Sequence, residues 1–233
     1  MPDWKNFRLS KLNTPEYKHL LLLLYWPVYL AVFQALEHWT DREYTILHSF
    51  IDDYIPFNEY FVVPYLFWFV YMFSMSVYAA FFDRDCFVYY MKLIIITSTT
   101  ACIAYLVYPT ALELRPSVFP RDNIFTDITK MIYSFDTSTN VCPSMHVTGS
   151  VATMLASFKA KHMNKSWKLT SAICAVLICA STVFMKQHSI IDVFWALVVC
   201  VAAEGIVRIS DSKLTKNYSR IITQDIDTSN NIQ

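Results

Sequence analysis

Two histidines, an aspartate, a serine and an arginine are spaced so that they could do chemistry together. In STVFMKQHSIIDV, His188 and Asp192 stand four residues apart, so a helix covering them puts both on one face. A carboxylate in reach of one imidazole nitrogen fixes the tautomer and leaves the other nitrogen free as nucleophile or base. In NVCPSMHVTG, Pro143 suits the first turn of a helix, and either Asn140 or Ser144 suits its cap. The free N–H groups of such a terminus attract an anion such as phosphate. His146, one turn in, would sit beside that anion as a proton donor, with the Ser144 hydroxyl as a second donor. Arg115, in ELRPS, is the residue type that clamps phosphate with two parallel hydrogen bonds. Singly these residues are ordinary, since a His–Asp pair at helical spacing is often structural and a loop arginine is often solvated. Together they describe a phosphate site.

The elements that must position them are membrane helices. The chain has 233 residues, 55% hydrophobic and 16% charged, with only 2 glycines, and a mean hydropathy of +0.33, too apolar for an ordinary soluble domain. A helical span needs about 20 mostly apolar residues. Stretches 19–36, 61–82, 87–108, 167–185 and 190–207 reach or approach that length. A sixth, 144–158, is shorter and more polar, and its Gly149, Ser150, Ala152 and Ala156 suit close helix packing rather than lipid contact. The expected fold is therefore all-α, a polytopic membrane bundle of about six transmembrane helices. Pro27 and Pro64 fall inside spans and are expected to kink them. The first apolar run is long and lacks a small-residue cleavage site, so it is expected to remain as the first span.

Six spans put both termini on one side. Of the 19 Lys and Arg residues, 14 fall on that side, so the positive-inside rule predicts cytoplasmic termini. Residues 1–18 are then a cytoplasmic segment, 19–208 the membrane domain, and 209–233 a cytoplasmic, partly disordered tail ending in DIDTSNNIQ. The outer segments are 38–60, 109–143 and 186–189, which brings His146 and His188 to one membrane depth at the exoplasmic face. Asp192 near the start of a span is costly against lipid, about 2.5–3.5 kcal/mol at the bilayer centre, so it is expected to face the bundle and pair with His188. The first outer loop mixes aromatics with acids and reads as an interfacial segment or a substrate-guiding lid. Glu204 precedes Arg208 by four residues, an i,i+4 pair. Asp136 and Asn140 read as turn and cap residues, or as a layer supporting His146. The glycosylation-like tripeptides at Asn164 and Asn217 lie on the cytoplasmic side and are expected to go unused. The six cysteines show no ligand spacing and read as small buried apolar residues. A formal net charge of zero gives no footprint for nucleic acid, and no residue pattern fixes an oligomeric state.

With these residues in view the chain resembles the type 2 phosphatidic acid phosphatase superfamily. That group includes lipid phosphate phosphatases, bacterial acid phosphatases, vanadium haloperoxidases and, more distantly, sphingolipid synthases. Its pattern is KxxxxxxRP, then PSGH, then SRxxxxxHxxxD. Here the first block ends in Arg115-Pro116, the second is Pro143-Ser144-Met145-His146, and the third is Ser181-Thr182, five residues, His188, three residues, Asp192. The resemblance covers about residues 95–205.

The resemblance implies an integral membrane phosphoester hydrolase acting on a lipid phosphate or diphosphate, with no metal and no organic cofactor. His188 would attack phosphorus and become a phosphohistidine, oriented by Asp192. His146 would protonate the leaving oxygen and then activate the acceptor. Arg115, Ser144 and backbone N–H groups would hold the equatorial oxygens. Three positions depart from the pattern: Tyr108 replaces the lysine, Thr182 the arginine of the third block, and Met145 the glycine of PSGH. Lys186 is expected to restore one of the two lost cations, with Arg121 or Lys130 as alternatives from the loop. The lost cations and QHSIIDV make the chain similar to the sphingomyelin and inositol phosphorylceramide synthase branch. A lipid headgroup phosphotransferase is thus the rival reading, and a non-catalytic relative the third.

Overall fold

Backbone N–H and C=O groups in a hydrocarbon layer must be satisfied within the chain, so long apolar stretches fold as helices there. In the computed structural model, which describes residues 4–39 and 41–230 with side chains as far as Lys213, five helices are long and apolar enough to cross a membrane. They span Lys18–Glu37, Glu59–Phe82, Arg84–Val107, Lys165–Phe184 and Ile190–Lys213. The protein is accordingly mostly helical, with the architecture of a multi-pass integral membrane protein. Its α-helices in chain order are α1 (Tyr25–Glu37), α2 (Phe50–Tyr54), α3 (Val62–Phe82), α4 (Arg84–Val107), α5 (Ile124–Phe135), α6 (Met145–Lys159), α7 (Lys165–Phe184) and α8 (Ile190–Asn230). Pro27 and Pro64 are each the third residue of α1 and α3, where a 3-10 segment, Lys18–Leu24 or Glu59–Phe61, passes into α-helix.

The sixth expected span, 144–158, is α6, but it is not among those five helices. Its 15 residues rise only about 22 Å, short of a hydrocarbon layer of about 30 Å. It lies inside the bundle against α3, α4, α7 and α8, with Val147 to Ser150, Ala152, Thr153, Ala156 and Ser157 buried. Its hydroxyls donate back along the helix, as in Ser150 to the His146 carbonyl at 2.6 Å and Thr153 to the Gly149 carbonyl at 2.9 Å, so they are buried without being unsatisfied. Gly149 permits the close approach to α3: a Cβ there would lie 2.6 Å from Met72 Sδ and 3.0 Å from Trp68 Nε1.

One end of the bundle collects charge pairs. Lys92 donates to Asp211 at 2.5 Å, Lys161 to Asp85 at 2.6 Å, and Glu204 takes both Arg208 and the Tyr89 hydroxyl at 2.5 Å. At the other end the loops meet. Thr45–Ile46 and Thr110–Ala111 form a two-residue parallel strand pair, β1 and β2, a small addition to the helical plan. The six cysteines are free and buried or half-buried. Helix α8 continues to Asn230, past the expected end of the last span at 207. The side chain of Asn217 and residues 231–233 of the expected tail lie outside the described residues, whereas Asn164 caps α7 by accepting from Trp167 N.

Candidate active site

A tight turn between α7 and α8 presents His188. The backbone N–H groups of Gln187 and His188 both donate to the Thr182 carbonyl, at 3.0 and 3.1 Å, and Lys186 takes a left-handed conformation, φ 53°. His188 Nδ1 lies 3.2 Å from Asp192 Oδ2, which also accepts from Ser189 N at 2.9 Å. Both side chains are buried, and the carboxylate oxygen that orients the ring is itself held by the Ser189 N–H. The pair faces the bundle, as its cost in lipid requires. Beside Asp192 lies the half-buried Cys142 thiol, pushed up to about 12 by burial and by that carboxylate.

The first outer loop completes this turn. Asp52, in the short helix α2, is buried and accepts from Ser189 Oγ at 2.6 Å and from Ile190 N at 2.9 Å. It thereby caps α8, while a reciprocal Ser49–Asp52 capping box holds α2. The partners of Asp52 in α8 lie well over a hundred residues away in the chain.

His146 approaches from α6. Ser144 is the cap, accepting from Val147 N at 3.5 Å, and its own N–H donates to the Asp192 carbonyl at 3.3 Å, which ties α6 to α8. The His146 ring stacks on Tyr65 at 4.2 Å and on Trp68 at 4.4 Å, and its centroid is 6.1 Å from that of His188. Its Nε2 is buried without a hydrogen-bond partner among the described residues.

The expected cations sit elsewhere. Arg115 donates to the carbonyls of Tyr133, Asp136 and Thr137 and to Gln187 Oε1, the last at 2.6 Å. It braces the segment next to His188, with its guanidinium also over the Tyr133 ring. Lys186 Nζ donates to the Asp52 carbonyl at 2.7 Å, and burial lowers its pKa against the opposing pull of Asp52 and Asp53. Arg121 is held by the buried Glu59 at 2.5 and 2.8 Å, and Lys130 pairs with Asp127 at 3.3 Å. Thr182 lends its carbonyl to the turn, and Tyr108 is exposed.

Both histidines line a cavity of about 880 Å³. Trp26, Leu30 and Phe33 of α1 form one wall, Trp68, Met72 and Val77 of α3 the other. From Tyr65 to Phe81 the lined stretch of α3 rises about 24 Å, most of a hydrocarbon layer. The polar end carries Glu37, Asp136, Asn140 and Gln187 besides the histidines. Asp136 accepts from the Tyr65 hydroxyl at 3.0 Å and from Gln187 at 3.3 Å. Burial raises its carboxyl above the usual range, opposed by Tyr65, His188 and Arg115. Arg115, Ser144 and Lys186 do not line this cavity, and among the described residues that do, none is Lys or Arg. No family model, no curated protein and no solved structure matches the chain.

Proposed function

We propose that the protein is a phosphoester hydrolase of the type 2 phosphatidic acid phosphatase kind, acting on a lipid phosphate or diphosphate. The observation that carries this reading is the pair of histidines 6.1 Å apart at the polar end of one apolar cavity, one of them fixed by Asp192. In the first step the His188 nitrogen not held by Asp192 attacks phosphorus, the bond to the leaving oxygen breaks, and His146 gives that oxygen a proton. In the second, water gives a proton to His146 as its oxygen attacks, and the phosphorus–nitrogen bond breaks, releasing phosphate. This reading assigns the N–H groups at the start of α6 as donors to the transferred group, since those of Ser189, Ile190 and Ile191 at the start of α8 go to Asp192, Asp52 and Ser189. Arg115 serves this reading by bracing Gln187 and the 133–137 segment, and Lys186 by anchoring the turn to the first outer loop. Counting α6 as a sixth crossing places both termini in the cytoplasm and the site at the exoplasmic face, in keeping with the distribution of basic residues.

A second reading, transfer of the phosphoryl-bearing headgroup to a lipid alcohol, is favoured by one feature. The cavity walls are apolar and its polar end offers acceptors and, among the described residues, no Lys or Arg, a setting that suits an alcohol better than bulk water. The test uses purified protein in detergent with EDTA, phosphatidic acid or an isoprenyl diphosphate, and a lipid alcohol present or absent. Phosphate release that disappears in His188→Ala supports hydrolysis. A new lipid product formed only with the alcohol, without phosphate release, shifts the reading to transfer. Release undiminished in His188→Ala overturns both.

A further inference from the structure

Beside the polar end of the cavity lies a hydrogen-bond acceptor for which the described residues supply no donor. Asn140 is 4% exposed, and its Oδ1 is buried without a partner among the described residues. The orientation of its amide is not arbitrary, because Nδ2 donates to Glu37 Oε1 at 3.0 Å and to the Leu36 carbonyl at 3.3 Å. A flipped amide would turn an acceptor toward two acceptors. The backbone is fixed as well: φ is 53°, and Asn140 N donates to the Thr110 carbonyl at 2.7 Å. A buried carbonyl held this firmly and left unpaired costs stability unless a donor reaches it. Glu37 stands next to it with oxygens that take one hydrogen bond each, from Asn140 and from Thr137, which leaves acceptor capacity on both.

We propose that Asn140 and Glu37 form a subsite for the hydroxyl of a long-chain alcohol whose chain lies in the groove between α1 and α3. The occupant follows from what surrounds the subsite. Asn140, Glu37 and His146 line the same cavity as the aromatic and aliphatic groove, so a ligand that reaches the unpaired carbonyl must be apolar along its length and carry a donor at its end. A phosphate oxygen does not satisfy Asn140 and Glu37 themselves, since it brings an acceptor to acceptors beside a carboxylate. The hydroxyl also lies at the cavity end that holds His146, and its role as phosphoryl acceptor rests on the proposed chemistry; its binding does not.

The experiment follows binding directly, in protein reconstituted into phosphatidylcholine nanodiscs. The probe is 12-bromo-1-dodecanol, whose bromine quenches tryptophans along the groove, Trp26 and Trp68 among them. Its methyl ether is the matched ligand with no donor, and 12-bromododecylamine is the matched ammonium. The subsite predicts that the wild-type protein binds the alcohol about tenfold more tightly than the ether. It also predicts that this preference vanishes in Asn140→Gly, which keeps the left-handed backbone and deletes the carboxamide. Equal binding of alcohol and ether by the wild type overturns the subsite, and that comparison needs no variant to fold. A preference that survives in Asn140→Gly overturns it too, and tighter binding of the amine assigns the site to an ammonium group. Alcohol selectivity in a protein that neither hydrolyses nor transfers any lipid phosphate would sink the catalytic reading and leave the subsite standing.

Discussion

Replacing Asp52, a residue of the first outer loop, is expected to damage both stability and chemistry. Its carboxylate accepts from Ser189 Oγ, Ile190 N and Ser49 N at 2.6 to 2.9 Å. Hydrogen bonds to a charged group contribute about 1.5–3 kcal/mol each, but three sharing one carboxylate do not add fully. Asp52→Ala therefore costs about 3–4 kcal/mol, and Asp52→Asn, which keeps one acceptor oxygen, about half of that. In a chain of this size each kcal/mol shifts the midpoint by about 2–4 °C, so Asp52→Ala unfolds roughly 6–16 °C earlier. The chemistry suffers because Ser189 also donates to Asp192 Oδ2, so a slack Ser189 loosens the group that aims His188. A displacement of about 1 Å in a catalytic group costs about 100-fold in rate. The assay is thermal unfolding in detergent together with turnover of phosphatidic acid below the midpoint of each variant. Asp52→Ala that keeps both midpoint and turnover at wild-type values refutes the reasoning, and loss of stability with full turnover refutes its second half.

Asp192→Asn leaves the ring of His188 in place but offers the wrong tautomer, and turnover is expected to fall by about 10³- to 10⁴-fold with little change in KM; steady-state kinetics on lipid vesicles decides it. Gly149→Ala must move Met72 and crowds Trp68, against which His146 packs, at a cost of about 1–3 kcal/mol. Unfolding midpoints and turnover should drop together, and an unchanged midpoint contradicts the close approach of α3 and α6. Asp136 has its carboxyl raised by burial, so its ionised form is penalised in the folded state. That penalty is absent below the unfolded value of about 3.8 and grows as pH rises through the higher folded value. Relative to Asp136→Asn, the wild type should therefore gain stability on acidification from pH 7 toward pH 4, and a relative loss would show that the carboxyl is not raised.

How much of this was legible in the sequence depended on how local the cause is. Apolar length is a local property, and the five long helices follow from it. The small residues of 144–158 marked a helix for the bundle interior, and α6 lies there with Gly149 against Met72 and Trp68. The i,i+4 spacing of His188 and Asp192 became a contact because one helical turn joins them. Cations were harder, because a charged side chain goes where its long-range partners are. Arg115 looked like a phosphate clamp, yet three backbone carbonyls and Gln187 take hydrogen bonds from its two terminal nitrogens, and Nε is buried without a partner among the described residues. Lys186 looked like a replacement cation, yet its left-handed backbone sends it to the Asp52 carbonyl. Glu59 takes Arg121 from across the fold in the same way. Glu37 and Asn140 matter here through tertiary partners, and Asp52, whose capping box with Ser49 is local, matters through Ser189 and Ile190; no spacing within one element announces those distant partners.

The central claim is that His188 carries the phosphoryl group. Its most direct test is a rapid quench of the protein, in EDTA, with phosphatidic acid labelled in its phosphate. The account predicts label on the protein that is labile to acid and stable to alkali, absent from His188→Ala, and increased in His146→Ala relative to its own rate of product formation. Full turnover with no protein-bound label, or label that persists in His188→Ala, contradicts it.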